Sequence, residues 1–138
     1  MDLTTTIAVV IGAYLIGSIP TSYLIGRWVG GVDIRQHGSG NVGASNLTAQ
    51  VGAKWAAPVV VFDVFVKGSL PVFLVSDRYL ELGVGTEAAV AITAILGHNW
   101  SVFAKFQGGR GMATVLGTTL ALNFPLLVVY GSVPALGV

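Results

Sequence analysis

Long apolar runs alternate along this chain with two polar, glycine-rich stretches. Ile7 to Ile25 is almost wholly apolar, and at about 1.5 Å of rise per residue it is long enough to cross a hydrocarbon layer of roughly 30 Å. Pro20 interrupts this run, with Ser18, Thr21 and Ser22 beside it. A bilayer helix tolerates such a break where hydroxyls or neighbouring groups satisfy the freed carbonyl. The break reads either as a simple kink or as a kink that opens the helix end beside a site. Arg27 to Lys54 is polar and glycine-rich, and reads as a loop. Trp55 to Val75 is a second span, with Pro58 placed in its first turn and Pro71 marking a kink. A short loop from Ser76 to Thr86 carries Asp77, Arg78 and Glu81, with Glu87 just beyond. Val84 to Phe103 is a third span, ending near His98 and Asn99. After a second glycine-rich loop, Met112 to Leu122 is apolar but short. Asn123-Phe124-Pro125 reads as a break, and Leu126 to Val138 as the start of a fifth helix with too few residues to cross. The expected fold is all-α: a polytopic membrane helix bundle of about four spans plus the start of a fifth. Residues 1–138 form one integral membrane domain, expected to be truncated at its C-terminus.

Composition strengthens the membrane reading. The chain is 54% hydrophobic and 9% charged, against roughly 25% charged in ordinary soluble domains, and its mean hydropathy is +0.80. So few charges cannot cover a water-exposed surface. Nineteen glycines in this background suit close helix packing in a bilayer. The absence of cysteine excludes disulfides and thiolate metal sites. The net charge of +1, spread without a cationic patch, gives no case for a nucleic-acid partner. The N-terminus does not read as a secretory signal: Asp2 is the sole charge before Arg27, and the apolar run exceeds the about 7–15 residues of a signal core. Arg27, Arg35, Lys54, Lys105 and Arg110 flank the ends shared by the two glycine-rich loops, and Arg78 lies at the opposite ends. The positive-inside rule then puts both loops in the cytoplasm and the N-terminus outside. On that side Asn46-Leu47-Thr48 and Asn99-Trp100-Ser101 would not be glycosylated.

The candidate chemistry lies in these loops. Gly97 to Thr114 gathers glycines, His98, Asn99, Lys105, Arg110 and Thr114 between two apolar stretches. Glycines let successive backbone N–H groups converge on one point without a Cβ in the way, and a helix starting at Met112 adds its positive end. Arg110 can grip a phosphate through two parallel hydrogen bonds. This reads as a phosphate-binding loop at a membrane surface. The earlier stretch, Gly38-Ser39-Gly40-Asn41-Val42-Gly43-Ala44-Ser45-Asn46, fits G-x-G-x-x-G, but a membrane helix rather than a strand precedes it, which excludes the dinucleotide reading. It is either a loop re-entering the membrane edge or a polar substrate pocket near Arg35 and His37. Asp63 and Lys67 stand four residues apart on one helix face. A charge in hydrocarbon costs about 2.5–3.5 kcal/mol, so the two should pair and face protein, as a structural lock or as part of the polar site. His98 is open to both an interfacial and a functional reading.

Taken together, Gly17-Ser18-Ile19-Pro20-Thr21-Ser22-Tyr23 and Gly38 to Asn46 resemble the first motif of the acyl-phosphate-dependent glycerol-3-phosphate acyltransferases of the PlsY type. Asp63, Lys67, Gly68 and Pro71 are similar to that family's second-helix pattern, and Gly97 to Thr114 resembles its G-H-x-x-P-V-F-x-x-F-x-G-G-K-G-x-A-T signature. The resemblance implies an integral membrane enzyme of bacterial phospholipid synthesis, in the cytoplasmic membrane, with a bundle of about seven helices and a cytoplasmic-facing site. It would transfer a fatty acyl group from acyl phosphate to the sn-1 hydroxyl of glycerol 3-phosphate, giving lysophosphatidate and phosphate. Its partners are those two substrates and membrane lipids, and no metal or bound cofactor is implied. Gly108, Gly109, Arg110, Gly111 and Thr114 would bind acyl phosphate; Ser39, Asn41 and Asn46 would bind glycerol 3-phosphate; His98 and Lys105 are further donors. Ser39, His98 and Arg110 are the candidates for a catalytic role. The chain departs from the pattern at Arg110, where the family carries Lys; at Ala49, where T-N-x-x-R ends in Arg; and at Trp100-Ser101, which replaces an aromatic-Pro pair. The family's C-terminal H-R-x-N-I motif is absent.

Two other readings remain: a paralogue acting on another phosphorylated acceptor, suggested by Ala49, and a small four-helix transporter with Asp63 in its path. The first span holds no acid, and a transporter has little need of two basic glycine loops.

Overall fold

The computed structural model describes residues 2–76 and 80–123, and all regular structure among them is helical. Helix α1, Leu3–Gly17, starts where the Asp2 carboxylate accepts the Thr5 N–H at 2.7 Å. It stops at Ser18, and α2, Thr21–Gly30, restarts directly after Pro20 and ends on left-handed Gly31. Helix α3 is Ala44–Val51 and α4 is Ala53–Phe62. A π-helical segment, Asp63–Ser69, then leads into α5, Leu70–Val75. Helix α6 is Val84–Asn99, a single 3-10 turn covers Val102–Ala104, and α7 is Met112–Leu122.

Residues 3–30 and 53–75 are each long and apolar enough to cross a membrane. Leu3, Ile7, Ile11 and Leu15 fall on one α1 face at helical spacing and are all exposed, with Phe65, Leu70, Leu74, Ile92 and Leu116 likewise turned outward on other helices. Such a surface suits lipid and would aggregate in water.

Inside, the helices meet through glycine. A Cβ on Gly17 would collide with the Ala94 carbonyl, and one on Gly97 would collide with the Tyr14 carbonyl, so α1 and α6 lie backbone to backbone. The π-helical segment and α7 cross the same way: a Cβ on Gly68 would lie 2.6 Å from the Thr114 carbonyl oxygen, and one on Gly117 would strike the Val64 carbonyl. Hydroxyls tie the same crossings. The Tyr14 hydroxyl donates to the Trp100 carbonyl at 2.7 Å, Ser101 donates to the Ser18 carbonyl, and Ser69 donates to the Gly117 carbonyl at 2.9 Å. Ser69 also reaches the Val64 carbonyl at 3.1 Å, within the widened turn. One apolar cluster joins Ala13, Val72, Val75, Val90, Ala91 and Ala94. A second, of Ile34, Val42, Leu47, Ala56 and Val59, underlies the first glycine loop.

Several boundaries differ from those expected. The stretch from Arg27 to Lys54 is not loop throughout, because α3 occupies Ala44–Val51 and α4 begins at Ala53. Pro58 therefore lies inside α4 rather than in a first turn. Pro71 sits in the first turn of α5, where its missing N–H matters least, and the departure from α geometry falls before it, at Asp63–Ser69. In the third apolar run the α-helix ends at Asn99, four residues short of Phe103, which lies instead in the 3-10 turn. The fourth matches the expected Met112–Leu122. Asp77, Arg78 and the expected fifth helix lie outside the described residues, and the number of spans is left at two helical segments of crossing length within them.

The glycine crossings set a stability test. Gly117→Ala should lower stability by about 1–3 kcal/mol, the usual result of forcing atoms into a packed contact. Gly12→Ala, where a Cβ meets nothing within 4 Å, should be neutral or stabilising. Thermal unfolding of both variants in detergent checks the contrast.

Candidate active site

The two glycine loops meet. The Val42 N–H donates to the Gly108 carbonyl at 3.2 Å, and the Gly109 N–H donates to the His98 carbonyl at 3.1 Å. Neither Gly108 nor Gly109 could carry a side chain: a Cβ on Gly108 would strike the His98 and Asn99 carbonyls, and one on Gly109 would strike His98 Nε2. Gly111 takes a left-handed conformation (φ 74°) as the residue before α7, so that helix starts abruptly and leaves its first N–H groups without partners inside the helix.

Beside this joint lies a cavity of about 600 Å³. Asn41, Gly43 and Ser45 line it from the first loop, Arg110 and Gly111 from the second, and Asp63 and His98 from its floor. Val60 on α4 and Met112, Ala113 and Leu116 on α7 form an apolar wall. Polar, cationic and apolar side chains thus share one lining.

The floor is a buried polar cluster drawn from three parts of the fold. Lys67 Nζ lies 2.7 Å from Asp63 Oδ1 and 3.1 Å from Thr21 Oγ1, and Thr21 donates to the same carboxylate oxygen at 3.0 Å. His98 Nδ1 is 3.5 Å from Lys67 Nζ and 3.8 Å from Asp63 Oδ2. Asp63 and Lys67 are each 2% exposed and His98 7%. The pair expected from the i, i+4 spacing therefore forms, within a π-helical turn, a geometry often found at functional sites.

The first loop is held from within. The buried Asn46 side-chain amide donates to the carbonyls of Ile34 at 2.8 Å, Asn41 at 3.0 Å and His37 at 3.1 Å. Gly38 and Gly40 supply the two positive-φ turns, whereas Gly43 is extended and precedes α3. Arg35 grips Asp33 through both carboxylate oxygens, at 2.9 and 2.7 Å, and stacks over Tyr23 at 4.5 Å. Those hydrogen bonds hold the Asp33 carboxyl down to about 2. His37 Nδ1 lies 2.9 Å from the Asp33 carbonyl oxygen.

Of the residues singled out from the sequence, Asn41, His98, Arg110 and Gly111 line the cavity. Gly108 and Gly109 form the joint at its edge. Ser39 is exposed outside the lining, where its hydroxyl accepts the Asn41 N–H at 3.4 Å. Asn46 shapes the loop from behind the lining. Lys105 is exposed with a left-handed backbone and is also outside the lining. Thr114 is fully buried on α7 and its hydroxyl has no partner among the described residues. Sequence reasoning missed Ser45 and Gly43 as lining residues and Thr21 as the bridge to the ion pair. The hydroxyls beside Pro20 were the available signal for Thr21.

An all-helical fold with a lipid-suited surface and an internal cavity lined by polar, cationic and apolar side chains defines a helical membrane protein. Residues 7–137 match the family described as glycerol-3-phosphate acyltransferase, and the chain belongs to that family. A glycerol-3-phosphate acyltransferase of Dehalococcoides mccartyi is 43% identical over 132 residues, covering 95% of this chain and 55% of the relative. One of Myxococcus xanthus is 47% identical over 117 residues, covering 85% and 60%. The crystal structure of PlsY, an integral membrane glycerol 3-phosphate acyltransferase, in its glycerol 3-phosphate form superposes with a TM-score of 0.79 at 35% identity, covering 96% of this chain and 64% of that one. The chain thus spans little more than half the length of these curated relatives.

Asp63→Asn should destabilise the protein by about 3–5 kcal/mol, because it strands a buried ammonium, while the apolar double variant Asp63→Leu/Lys67→Met should cost far less. Thermal unfolding in detergent separates the two. At the loop, the Asp33 pKa is depressed, so its ion pair contributes fully above about pH 3.8 and is lost as the pH falls towards about 2. Arg35→Gln should move the Asp33 titration, followed by NMR, back towards the ordinary carboxylate range.

Proposed function

We propose that the protein transfers a fatty acyl group from acyl phosphate to the sn-1 hydroxyl of glycerol 3-phosphate. The hydroxyl oxygen attacks the acyl carbon, the bond from that carbon to the phosphate oxygen breaks, and inorganic phosphate leaves, accepting the proton lost by the hydroxyl. Acyl phosphate is already activated, so positioned donors around the departing phosphate and the developing oxyanion can supply most of the rate enhancement. The observation that carries this reading is the Val42–Gly108 hydrogen bond, which joins two anion-suited loops at one cavity with an apolar wall.

In this reading Arg110 and the first N–H groups of α7, presented by Gly108, Gly109 and Gly111, hold the acyl phosphate head. Asn41 and Ser45 face the acceptor, with Ser39 and Asn46 shaping their loop and Lys105 drawing anions towards the mouth. Thr114 supports the start of α7. His98 is a further donor lining the same cavity. Val60, Met112 and Leu116 receive the first carbons of the acyl chain. The loops face the cytoplasm, the N-terminus lies outside, and the protein resides in a bacterial inner membrane as a bundle of about four spans over this length. The transporter reading loses its motive, because Asp63 is locked to Lys67 and Thr21. Ala49 is exposed on α3, where a missing Arg leaves the acceptor phosphate with one cation fewer than the family pattern supplies.

Membranes carrying the full-length protein should form lysophosphatidate from acyl phosphate and glycerol 3-phosphate, and folded protein without product sinks the reading. Arg110→Ala should lower kcat/KM about 10–100-fold, the range for losing hydrogen bonds to a charged group, with Arg110→Lys closer to the parent. A screen of phosphorylated acceptors separates this reading from the paralogue: glycerol 3-phosphate should be turned over fastest, and if Ala49→Arg changes nothing the paralogue reading loses its motive.

A further inference from the structure

The Lys67 ammonium has three protons to donate and nothing with which to accept. Its three polar neighbours are Asp63 Oδ1 at 2.7 Å, Thr21 Oγ1 at 3.1 Å and His98 Nδ1 at 3.5 Å. The nitrogen of His98 facing Lys67 must therefore offer a lone pair, since a proton there would point at a cation. The other candidate acceptor for a proton on Nδ1, Asp63 Oδ2, is 3.8 Å away, beyond hydrogen-bond reach. Charge balance points the same way. Asp63 and Lys67 neutralise one another in a site only 2% exposed, and a protonated His98 would leave an uncompensated positive charge there. His98 is thus neutral with its proton on Nε2. That nitrogen lies on the side of Gly109, so close that a Cβ on Gly109 would collide with it, and His98 lines the cavity.

We propose that Lys67 is a positioning residue: it fixes His98 as the neutral Nε2–H tautomer, so that this N–H faces the cavity beside Gly109 as a preorganised donor to a phosphorylated ligand. The donor role rests on the acyltransferase reading, whereas the tautomer does not. The arrangement explains why an ion pair should sit under a glycine loop at all. Without the ammonium, the imidazole could place its proton on either nitrogen, and the Nδ1–H tautomer would present a lone pair to an anion.

The groups facing His98 from the packed elements are Asp63 and Lys67 of the π-helical segment and Gly109 of the second loop, and Arg110 lines the same cavity. Nitrogen NMR of the full-length protein, labelled at histidine and held in detergent micelles at neutral pH, reads the tautomer directly; His98→Gln identifies the signals. The parent should show an unprotonated Nδ1 and a protonated Nε2, and Lys67→Arg, which keeps a donor in place, should show the same. In Asp63→Leu/Lys67→Met, which removes both charges together, protonated Nδ1 should appear. A parent His98 protonated on Nδ1 or on both nitrogens overturns the proposal, as does a double variant whose tautomer is unchanged. Inorganic phosphate should shift the Nε2 resonance in the parent, and a resonance indifferent to phosphate removes the donor role. Because the tautomer is read without turnover, loss of the acyltransferase reading would appear separately, as absent product from a protein whose His98 still carries its proton on Nε2.

Discussion

A carboxylate and an ammonium placed within an apolar helix cannot be left to lipid, and their mutual attraction organises what surrounds them. Asp63 and Lys67 satisfy one another at 2.7 Å, but a single contact leaves further donors and acceptors unmet. Thr21, at the start of α2, supplies one partner by donating to the carboxylate and accepting from the ammonium. His98, at the end of α6, supplies another. The pair thereby draws the broken first helix and the third apolar helix to one point. Above that point the second glycine loop rests on His98, through the Gly109 N–H and the absence of a side chain on Gly109. The cavity floor, its cationic rim and the joint between the loops all refer back to this buried pair.

Electrostatics could not do this alone, because a bilayer offers no hydrophobic drive between helices. Backbone contact takes its place. Gly17 and Gly97 let α1 and α6 touch, and Gly68 and Gly117 do the same for the π-helical segment and α7. The second crossing sits at Gly68, the residue next to Lys67, so the widened helix that carries the ammonium is also the one clamped by α7. The clamp fixes the start of α7, and with it Arg110 and Gly111, over the cavity. Helix packing and the shape of the cavity therefore depend on the same few glycines.

Much of this was legible in the residues. Asp63 and Lys67 announced their pairing by spacing, since neither could face lipid, and the apolar runs announced their helices by length. Met112–Leu122 appears with the expected bounds because Gly111 leaves no doubt about where a helix can start. The second loop was recognisable from its glycines, cations and histidine, and Arg110, Gly111 and His98 do line the cavity. Less was legible in the first loop. Asn46 looked like a ligand-facing amide, yet its polar group is turned inward to three carbonyls of its own loop. Residue type cannot distinguish an amide that binds from one that folds the binder. The π-helical turn was hidden for a similar reason: Asp63–Ser69 has no local sequence that prefers it, and it forms where α7 presses on Gly68 and Ser69 bonds across to Gly117.

By itself, then, the sequence determined that this is an all-helical membrane chain of the glycerol-3-phosphate acyltransferase family with two glycine-rich polar loops, because hydropathy, glycine spacing and motif are properties read along one dimension. Only the tertiary structure decided that the loops are hydrogen-bonded to each other, that Thr21 and His98 complete the ion pair, and that Asn41 and Ser45 rather than Ser39 and Lys105 border the cavity. Those outcomes depend on which backbones can approach closely enough to touch, and that is settled between helices far apart in the chain.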